Sequence, residues 1–443
     1  MVGTDGEGVR RLMLGLEIAL AAAIVAGAAC AVWFLAGHGY LPQPFYHDPS
    51  QSLMDLYNTA YWAHRPGAYD VWGSVYPPAP FILLRLLTDG RCYTGSPYAA
   101  RLCDHRAALG LLTSYAACWP LLALWYARLD RATAPMRTLA TGLALPLLYG
   151  LERGNLIVPS FALLMAAIAV RPRSRAAHHL LSALSFNLKP YAAIVLMPLF
   201  PLRRWDAIAA YVAVFMAIYL GSCVAMGGGW PLQLLRNVQL LVRHTGANSW
   251  NNIYYATTYN QFAAALQNGF ASQLGVPPPM VTPLCVGARV LVLVGQIGVL
   301  ACYGLGLLRR ERVVVTRFMA IALLFVLTTW GSSGYASIYL FPLVFRERFG
   351  TTLTAIVVIC AYLLCLPADL VLRPMYHELT DSYLGGRLVF ADHGLALGQL
   401  VRPGLLLAIE YALVALVLAD LGFAPGASGD RVDAPGGRAV PFD

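Results

Sequence analysis

The chain has 443 residues, 58% of them hydrophobic and only 12% charged, with a formal net charge of +9. Soluble domains carry about 25% charged residues, so this composition excludes an ordinary soluble domain and describes an integral membrane protein. The arginines lie in short clusters between apolar runs, the pattern of a positive-inside topology signal, and call for no nucleic-acid partner.

The first apolar run, about 12–36, follows Arg10 and Arg11. It is too long for a signal-peptide core and has no clear small-residue cleavage site, so it reads as a retained first span that starts in the cytoplasm. The loop it exports, 37–106, is polar, acidic and aromatic and falls on the outer face. Within it residues 76–87 are too short to cross, since a spanning helix needs about 20 apolar residues. They read as an interfacial or re-entrant helix opened by prolines. A second span, about 107–126, ends at Arg128, Arg131 and Arg137.

Apolar segments at about 138–149 and 156–170 are short and separated by the polar turn Glu152-Arg153-Gly154-Asn155, and Arg171, Arg173 and Arg175 follow. The segment 180–200 is interrupted in the same way by Asn187-Leu188-Lys189-Pro190 before Arg203 and Arg204. One ordinary crossing cannot join two cytoplasmic loops. Broken helices are tolerated only where they are buried in protein or line a wet cavity, so these interruptions point at a cavity. A span at about 207–226 leads to a second outer loop, 227–280, rich in Asn, Gln, Tyr and Trp, and about 281–308 crosses back to Arg309, Arg310, Arg312 and Arg317. A third broken pair, about 318–329 and 338–345, is parted by residues 330–335. Two last spans, about 351–372 and 404–421, enclose another outer loop. The Gly/Pro/Ala-rich tail 423–443 reads as disordered and cytoplasmic, which leaves 1–422 as one transmembrane domain.

Of the nine cysteines, Cys92 and Cys103 share the first outer loop, where a disulfide is plausible if that loop lies outside the cytoplasm. The others fall in apolar runs or beside them and behave as small hydrophobes. No Cys/His spacing points to a metal.

Asp55, flanked by Tyr57 and Tyr61 and followed by Gly67-Ala68-Tyr69 and Tyr76-Pro77-Pro78, reads either as a general base just outside the membrane or as a helix cap or solvated loop charge. Asp48 is the competing carboxylate, although Asp48-Pro49-Ser50 also reads as a turn. Lys189 is the single lysine among 31 basic residues and stands in an apolar segment beside a helix-breaking proline. A charge there is costly and by default functional, with phosphate recognition as its natural use and snorkelling as the alternative. Glu152 and Arg153 form either a self-satisfied turn or part of a ligand site. Arg243, His244, Asn260 and Gln261, with Trp250, Tyr254, Tyr255 and Tyr259, offer hydrogen bonds and stacking faces to a sugar, or form an interfacial aromatic belt.

From about Asp48 to about Pro342 the chain resembles glycosyltransferase family 87, membrane enzymes of the GT-C class that use polyprenyl-phosphate sugars. The family order of Asp, a Tyr/Ala-rich helix, Gly-x-Tyr and Tyr-Pro-Pro is similar to Asp55, residues 57–63, Gly67-Ala68-Tyr69 and Tyr76-Pro77-Pro78. Its Gly-Gln-x-Asn turn resembles Glu152-Arg153-Gly154-Asn155, its lysine break Leu188-Lys189-Pro190, its Asn-Gln-Ser motif Asn260-Gln261-Phe262, and its late serine turn Ser332-Ser333-Gly334-Tyr335 with Pro342. Phe262 and Glu152-Arg153 depart from the pattern, which leaves sugar and acceptor preference open.

The expected architecture is therefore an all-α polytopic GT-C fold with about nine to eleven membrane segments, several of them broken. The resemblance implies an inverting transfer of a sugar, most simply mannose, from a polyprenyl-phosphate donor to a lipid or glycan acceptor on the periplasmic or extracellular side of the cell membrane. Asp55 is the implied base. Lys189, Arg153, Arg243 and His244 would bind the donor phosphate, and Tyr57, Tyr76, Asn155, Asn260, Gln261 and Tyr335 the sugar or acceptor. No cofactor is required. Alternatives are another sugar with a lipid A or protein acceptor and, in a different class, a lipid-linked sugar transporter or flippase.

Overall fold

The computed structural model describes residues 4–45, 49–244, 254–329 and 334–423. Among them five helices are long and apolar enough to cross a membrane: α1 (Thr4–His38, apolar from Arg11), α5 (His105–Leu129), α10 (Trp205–Met226), α13 (Pro278–Leu308) and α16 (Leu397–Asp420). The shorter elements between them are set by proline and glycine. Helices α2 (Met54–Ala63), α3 (Pro78–Leu87) and α4 (Pro97–Cys103) build the loop after α1, with prolines in the first turn of α3 and α4 where the missing N–H costs nothing. Helix α3 has the 10 residues expected of a segment too short to span.

The first two expected breaks are present, and of the third, residues 330–333 lie outside the described residues. The first broken pair becomes α6 (Ala134–Gly142), α7 (Leu145–Glu152) and α8 (Ile157–Val170), with the 152–155 turn between α7 and α8. Helix α9 (Arg175–Leu188) stops at Lys189 and continues as a 3-10 helix, Pro190–Leu199, because Pro190 removes the next backbone donor. After α10, the α11 helix (Pro231–His244) and α12 helix (Tyr259–Ala265) belong to the second polar stretch. Helix α14 (Val315–Thr329) is followed by the 3-10 turn Gly334–Tyr339 and a short helix, Phe341–Val344.

The final region differs from expectation in two ways. Helix α15 (Thr352–Cys365) has 14 residues and ends before Pro367, so the apolar signal through residue 372 is not one helix. What the sequence reading expects as an outer loop is an antiparallel hairpin, β1 (Val371–Asp381) paired with β2 (Leu388–Ala396). The described residues are thus mostly helical with one small sheet. Gly385 and Gly386 both have φ near +74°, the left-handed turn geometry that glycine adopts without strain. Residues 424–443 lie outside the described chain.

The two ends of the bundle differ in chemistry. At one end Arg317 pairs with Glu347 (2.8 Å) and Asp420 (2.7 Å), Arg309 donates to Leu421 O, and Arg348 donates to Leu129 O. These bonds tie the terminal turns of α5, α13, α14 and α16 together. Deeper along α1, the buried Glu17 carboxylate accepts from Arg137 of α6 (2.8 and 3.0 Å) and from the Tyr362 hydroxyl of α15 (2.7 Å). The opposite end holds the acidic loop, the 152–155 turn, Lys189 and the hairpin tip. Tyr383 N–H donates to Gly39 O there, joining the hairpin to the end of α1.

Candidate functional site

Asp55 lies in the first turn of α2, where a carboxylate complements the partial positive charge of the helix N-terminus. Its place is fixed by backbone pairing with the break between α7 and α8. Leu53 N–H donates to Glu152 O (2.8 Å) and Asp55 N–H to Arg153 O (3.0 Å). The approach requires a glycine at 154. Gly154 has φ +69°, and a Cβ there would stand 2.8 Å from Leu53 O. Leu53 itself has φ 61°, a conformation that non-glycine residues adopt rarely and that concentrates at functional sites.

The side chains then close on the carboxylate. Arg153 Nη2 donates to Asp55 Oδ1 (3.0 Å) and Nη1 to Gln51 O (2.9 Å). Asn155, fully buried, donates Nδ2–H to Asp55 Oδ2 (2.7 Å) while its Oδ1 accepts from Ile157 N–H and caps α8. Asp55 retains 23% of its side-chain exposure. Each carboxylate oxygen has one partner here and keeps acceptor capacity for a further proton donor. Charge-assisted bonds of this kind are the strong ones, about 1.5–3 kcal/mol each.

Lys189 completes the group from the second break. Its Nζ donates to Tyr76 Oη (3.3 Å) and stands 4.3 Å from the Tyr76 ring centroid and 5.6 Å from that of Tyr335. Lys189 is 7% exposed, so the two rings replace part of the ammonium's lost hydration. Tyr76 also ends an aromatic ladder in which Trp72 lies between Trp62 (6.0 Å) and Tyr76 (6.4 Å). From the third break, Tyr335 stacks on Tyr149 (6.1 Å), which stacks on Tyr255 (4.9 Å), and Arg402 of α16 faces Tyr255 at 5.1 Å while pairing with Asp369. Asp55, Arg153, Asn155, Lys189, Tyr76 and Tyr335 are therefore brought into one cluster by all three breaks.

Other expected site residues stand elsewhere. Tyr57 is 1% exposed, and its hydroxyl donates to Asp104 O (2.8 Å), so it packs α2 against α4 and does not face Asp55. Its helical spacing of two from Asp55 turns it to another face. Gln261 accepts from Thr257 N–H (3.1 Å) within its own turn, and among the described residues no contact joins Asn260 or Gln261 to Asp55. Asp48, Trp250 and the side chains of Arg243 and His244 lie outside the described residues. The Cys92–Cys103 disulfide is present, with Cα atoms 5.5 Å apart. Glu152 and Arg153 turn to different partners: Arg153 pairs with Asp55, and Glu152 Oε1 accepts from the Tyr383 hydroxyl at the hairpin tip (2.8 Å).

Sequence reasoning missed Tyr149 and Tyr383, and gave Tyr255 only as a stacking face for a sugar or part of an aromatic belt, not as the partner of Tyr149. Tyr149 sits three residues before Glu152 on an apolar helix, where it reads as a core residue. The partners of the other two are set by tertiary approach alone. Among the described residues no group of His, Cys, Asp and Glu has the arrangement of a metal site. Compared with known proteins, the chain matches no family model, no curated protein and no solved structure.

Proposed function

We propose that this chain is a membrane glycosyltransferase that moves a sugar, most simply mannose, from a polyprenyl-phosphate donor to a lipid or glycan hydroxyl. The observation that carries this reading is the Asp55 carboxylate held at a helix start by Arg153 and Asn155, next to a nearly buried lysine between two tyrosine rings. A fixed carboxylate beside a fixed ammonium suits a reaction that removes a proton from one oxygen while another oxygen departs with negative charge.

In this mechanism Asp55 accepts the acceptor's hydroxyl proton as that oxygen bonds to the anomeric carbon. The bond from that carbon to the phosphate oxygen breaks in line, and the lipid phosphate leaves with the electron pair beside Lys189. Inversion follows from a single displacement. Arg153, already bonded to Asp55 and Gln51 O, positions the base, which leaves phosphate stabilisation chiefly to Lys189. Tyr76, Trp72 and Trp62 offer faces on which a sugar or isoprenoid can lie. The Cys92–Cys103 disulfide supports an oxidising compartment for this end of the bundle.

The test is transfer from synthetic polyprenyl-phosphate-mannose to a membrane extract by purified wild type and Asp55→Asn. Loss of product with donor binding retained supports the reading, and equal transfer by both refutes it. A second reading, a lipid-linked sugar transporter or flippase, draws on Glu410 of α16. It is fully buried, faces Thr328 and has no ion-pair partner among the described residues, and an intramembrane carboxyl of that kind marks ion pathways. Translocation of a fluorescent lipid-linked sugar across proteoliposomes, abolished by Glu410→Gln and indifferent to Asp55→Asn, would favour it.

A further inference from the structure

A cavity of about 340 Å³ opens where the C-terminal end of α2 meets the last turns of α3 and the turn between α10 and α11. The polar side chains lining it are His64, Arg65, Tyr69, Asp70, Arg85 and Gln233. Asp55 and His64 belong to opposite ends of α2, so the cavity is separate from the cluster around Asp55.

Its two guanidinium groups are positioned by backbone carbonyls. Arg85 Nε donates to Ala63 O (2.8 Å), and Arg65 donates through Nε to Tyr93 O (3.1 Å) and through Nη2 to Thr94 O. The bland account is that Arg85 caps the C-terminus of α2 and Arg65 braces the disulfide loop. Those bonds leave both Arg85 Nη groups and one of Arg65 available, and among the described residues neither arginine forms an ion pair with a carboxylate. Asp70 is the cavity's acid, exposed and engaged by Gln233 Nε2. Burial and the Arg85 guanidinium hold the His64 imidazole below its usual range, and its Nε2 bonds Thr88 Oγ1 (2.7 Å). At neutral pH two fixed positive charges therefore face one negative charge.

The surroundings identify the phase this cavity meets. Helix α10 is long and apolar enough to cross a membrane, and it ends at Met226 on the cavity's wall. Around the opening, Leu86 and Leu87 at the end of α3, Val224 of α10 and Leu232 and Leu235 of α11 are all more than half exposed. The polar side of α11 is turned inward: buried Asn237 donates to Tyr69 O and Ser74 O (both 3.0 Å), and Gln233 accepts from Gly229 N–H. A helix with its polar side on protein and its leucines exposed at the end of a membrane span lies at the lipid surface. Two unpaired arginines beneath an apolar rim match a phosphodiester at the depth of lipid headgroups. Gln233, bonded to Asp70 through one amide hydrogen, keeps the other for a headgroup hydroxyl.

We propose that this cavity binds the headgroup of an anionic, hydroxyl-bearing phospholipid, with the phosphate on Arg65 and Arg85 and the hydroxyl at Gln233. The site is independent of the transfer reaction assigned to Asp55. Purified full-length protein in detergent is titrated with phosphatidylglycerol, phosphatidylcholine or soluble glycerol phosphate, and the shift in thermal unfolding is read. Phosphatidylglycerol should stabilise wild type more than phosphatidylcholine. Arg65→Gln with Arg85→Gln should weaken its apparent affinity about tenfold or more, and Asp70→Asn should tighten it about threefold by removing the opposing charge. Equal response to both lipids, an unchanged preference in the double variant, weaker binding by Asp70→Asn, or equal stabilisation by glycerol phosphate would each overturn the assignment. Should the double variant fail to fold, the headgroup comparison and Asp70→Asn still decide it.

Discussion

Arg153 Nη2 meets Asp55 Oδ1 at 3.0 Å across 98 residues of sequence, and the same turn that presents the arginine also carries two of the backbone bonds at the start of α2. In the proposed transfer, base and positioning group are therefore separable by mutation. Asp55→Asn keeps the hydrogen-bonding shape and removes proton acceptance, so it should lower kcat by about 10²–10⁴-fold. Arg153→Gln leaves the carboxylate in place but less constrained, and should cost less in kcat while moving the pH profile of transfer. Equal losses with an unmoved pH profile would show that Arg153 contacts substrate directly.

Gly154 offers a sharper test of how the site is held. An added Cβ would fall 2.8 Å from Leu53 O and 2.9 Å from Leu53 Cα, and the residue has φ +69°. Backbone atoms cannot yield as a flexible side chain can, so Gly154→Ala should destabilise by more than about 1 kcal/mol and displace the start of α2. Thermal unfolding and transfer should fall together. Alanine at Gly221, where a Cβ meets nothing within 4 Å, is the control and should leave both near wild type.

Lys189 stands 4.3 Å from the Tyr76 ring and 5.6 Å from Tyr335, an enclosure suited to a compact ammonium. Lys189→Arg should therefore fail to restore function, because a planar guanidinium needs a different shape of enclosure and spreads its charge. Lys189→Met, of similar length and neutral, should fold at least as well as wild type, since it removes a buried charge, and should lose donor binding. Both effects are read from unfolding temperature and from the KM for the lipid-linked donor.

The membrane character, the breaks at 152–155 and at Lys189 and the gathering of Asp55, Arg153 and Lys189 at one end of the bundle were legible because charge in an apolar chain is expensive, and each costly residue marks a place where the fold must supply a partner. Asn155 and Arg153 were legible for the same reason. The placement of Tyr57 and Gln261 away from that cluster was not, since spacing along the chain does not say which neighbours a short helix meets. The β hairpin had a local signal in Leu384-Gly385-Gly386 between two β-branched and aromatic runs, but the surrounding apolar runs favoured reading it as a connector. The bond from Tyr383 to Glu152 depends on that hairpin and had no local signal at all.

Glu17 and Arg137 form a buried pair at 2.8 Å, 120 residues apart, with Tyr362 as a third partner. Removing one member of such a pair strands the other, which typically costs about 3–5 kcal/mol, whereas replacing both by apolar residues is often neutral. Arg137→Met should accordingly lower the unfolding temperature strongly, and Glu17→Met with Arg137→Met should recover most of the loss. A double variant as unstable as the single would show that the network, including the Arg137 bond to Phe345 O, does more than neutralise charge.

Glu152 gives the site a pH dependence of defined sign. Burial pushes its carboxyl up to about 7 from an ordinary 4.5, with Arg153 and the Tyr383 hydroxyl pulling the other way. The residue is partly exposed as a whole, yet Oε2 is shut off from solvent. Between pH 4.5 and 7 the unfolded chain has released a proton that the folded chain retains, so this group's contribution is greatest below pH 4.5 and is lost as pH rises through 7. Glu152→Gln removes the titration and should flatten that part of the stability profile, becoming more stable relative to wild type as pH increases. Tyr383→Phe deletes a bond to the carboxylate and should carry the decline on to higher pH. Unfolding temperatures of the three proteins from pH 4 to 8 measure both effects, and parallel profiles for wild type and Glu152→Gln would show that Glu152 ionises freely in the folded chain.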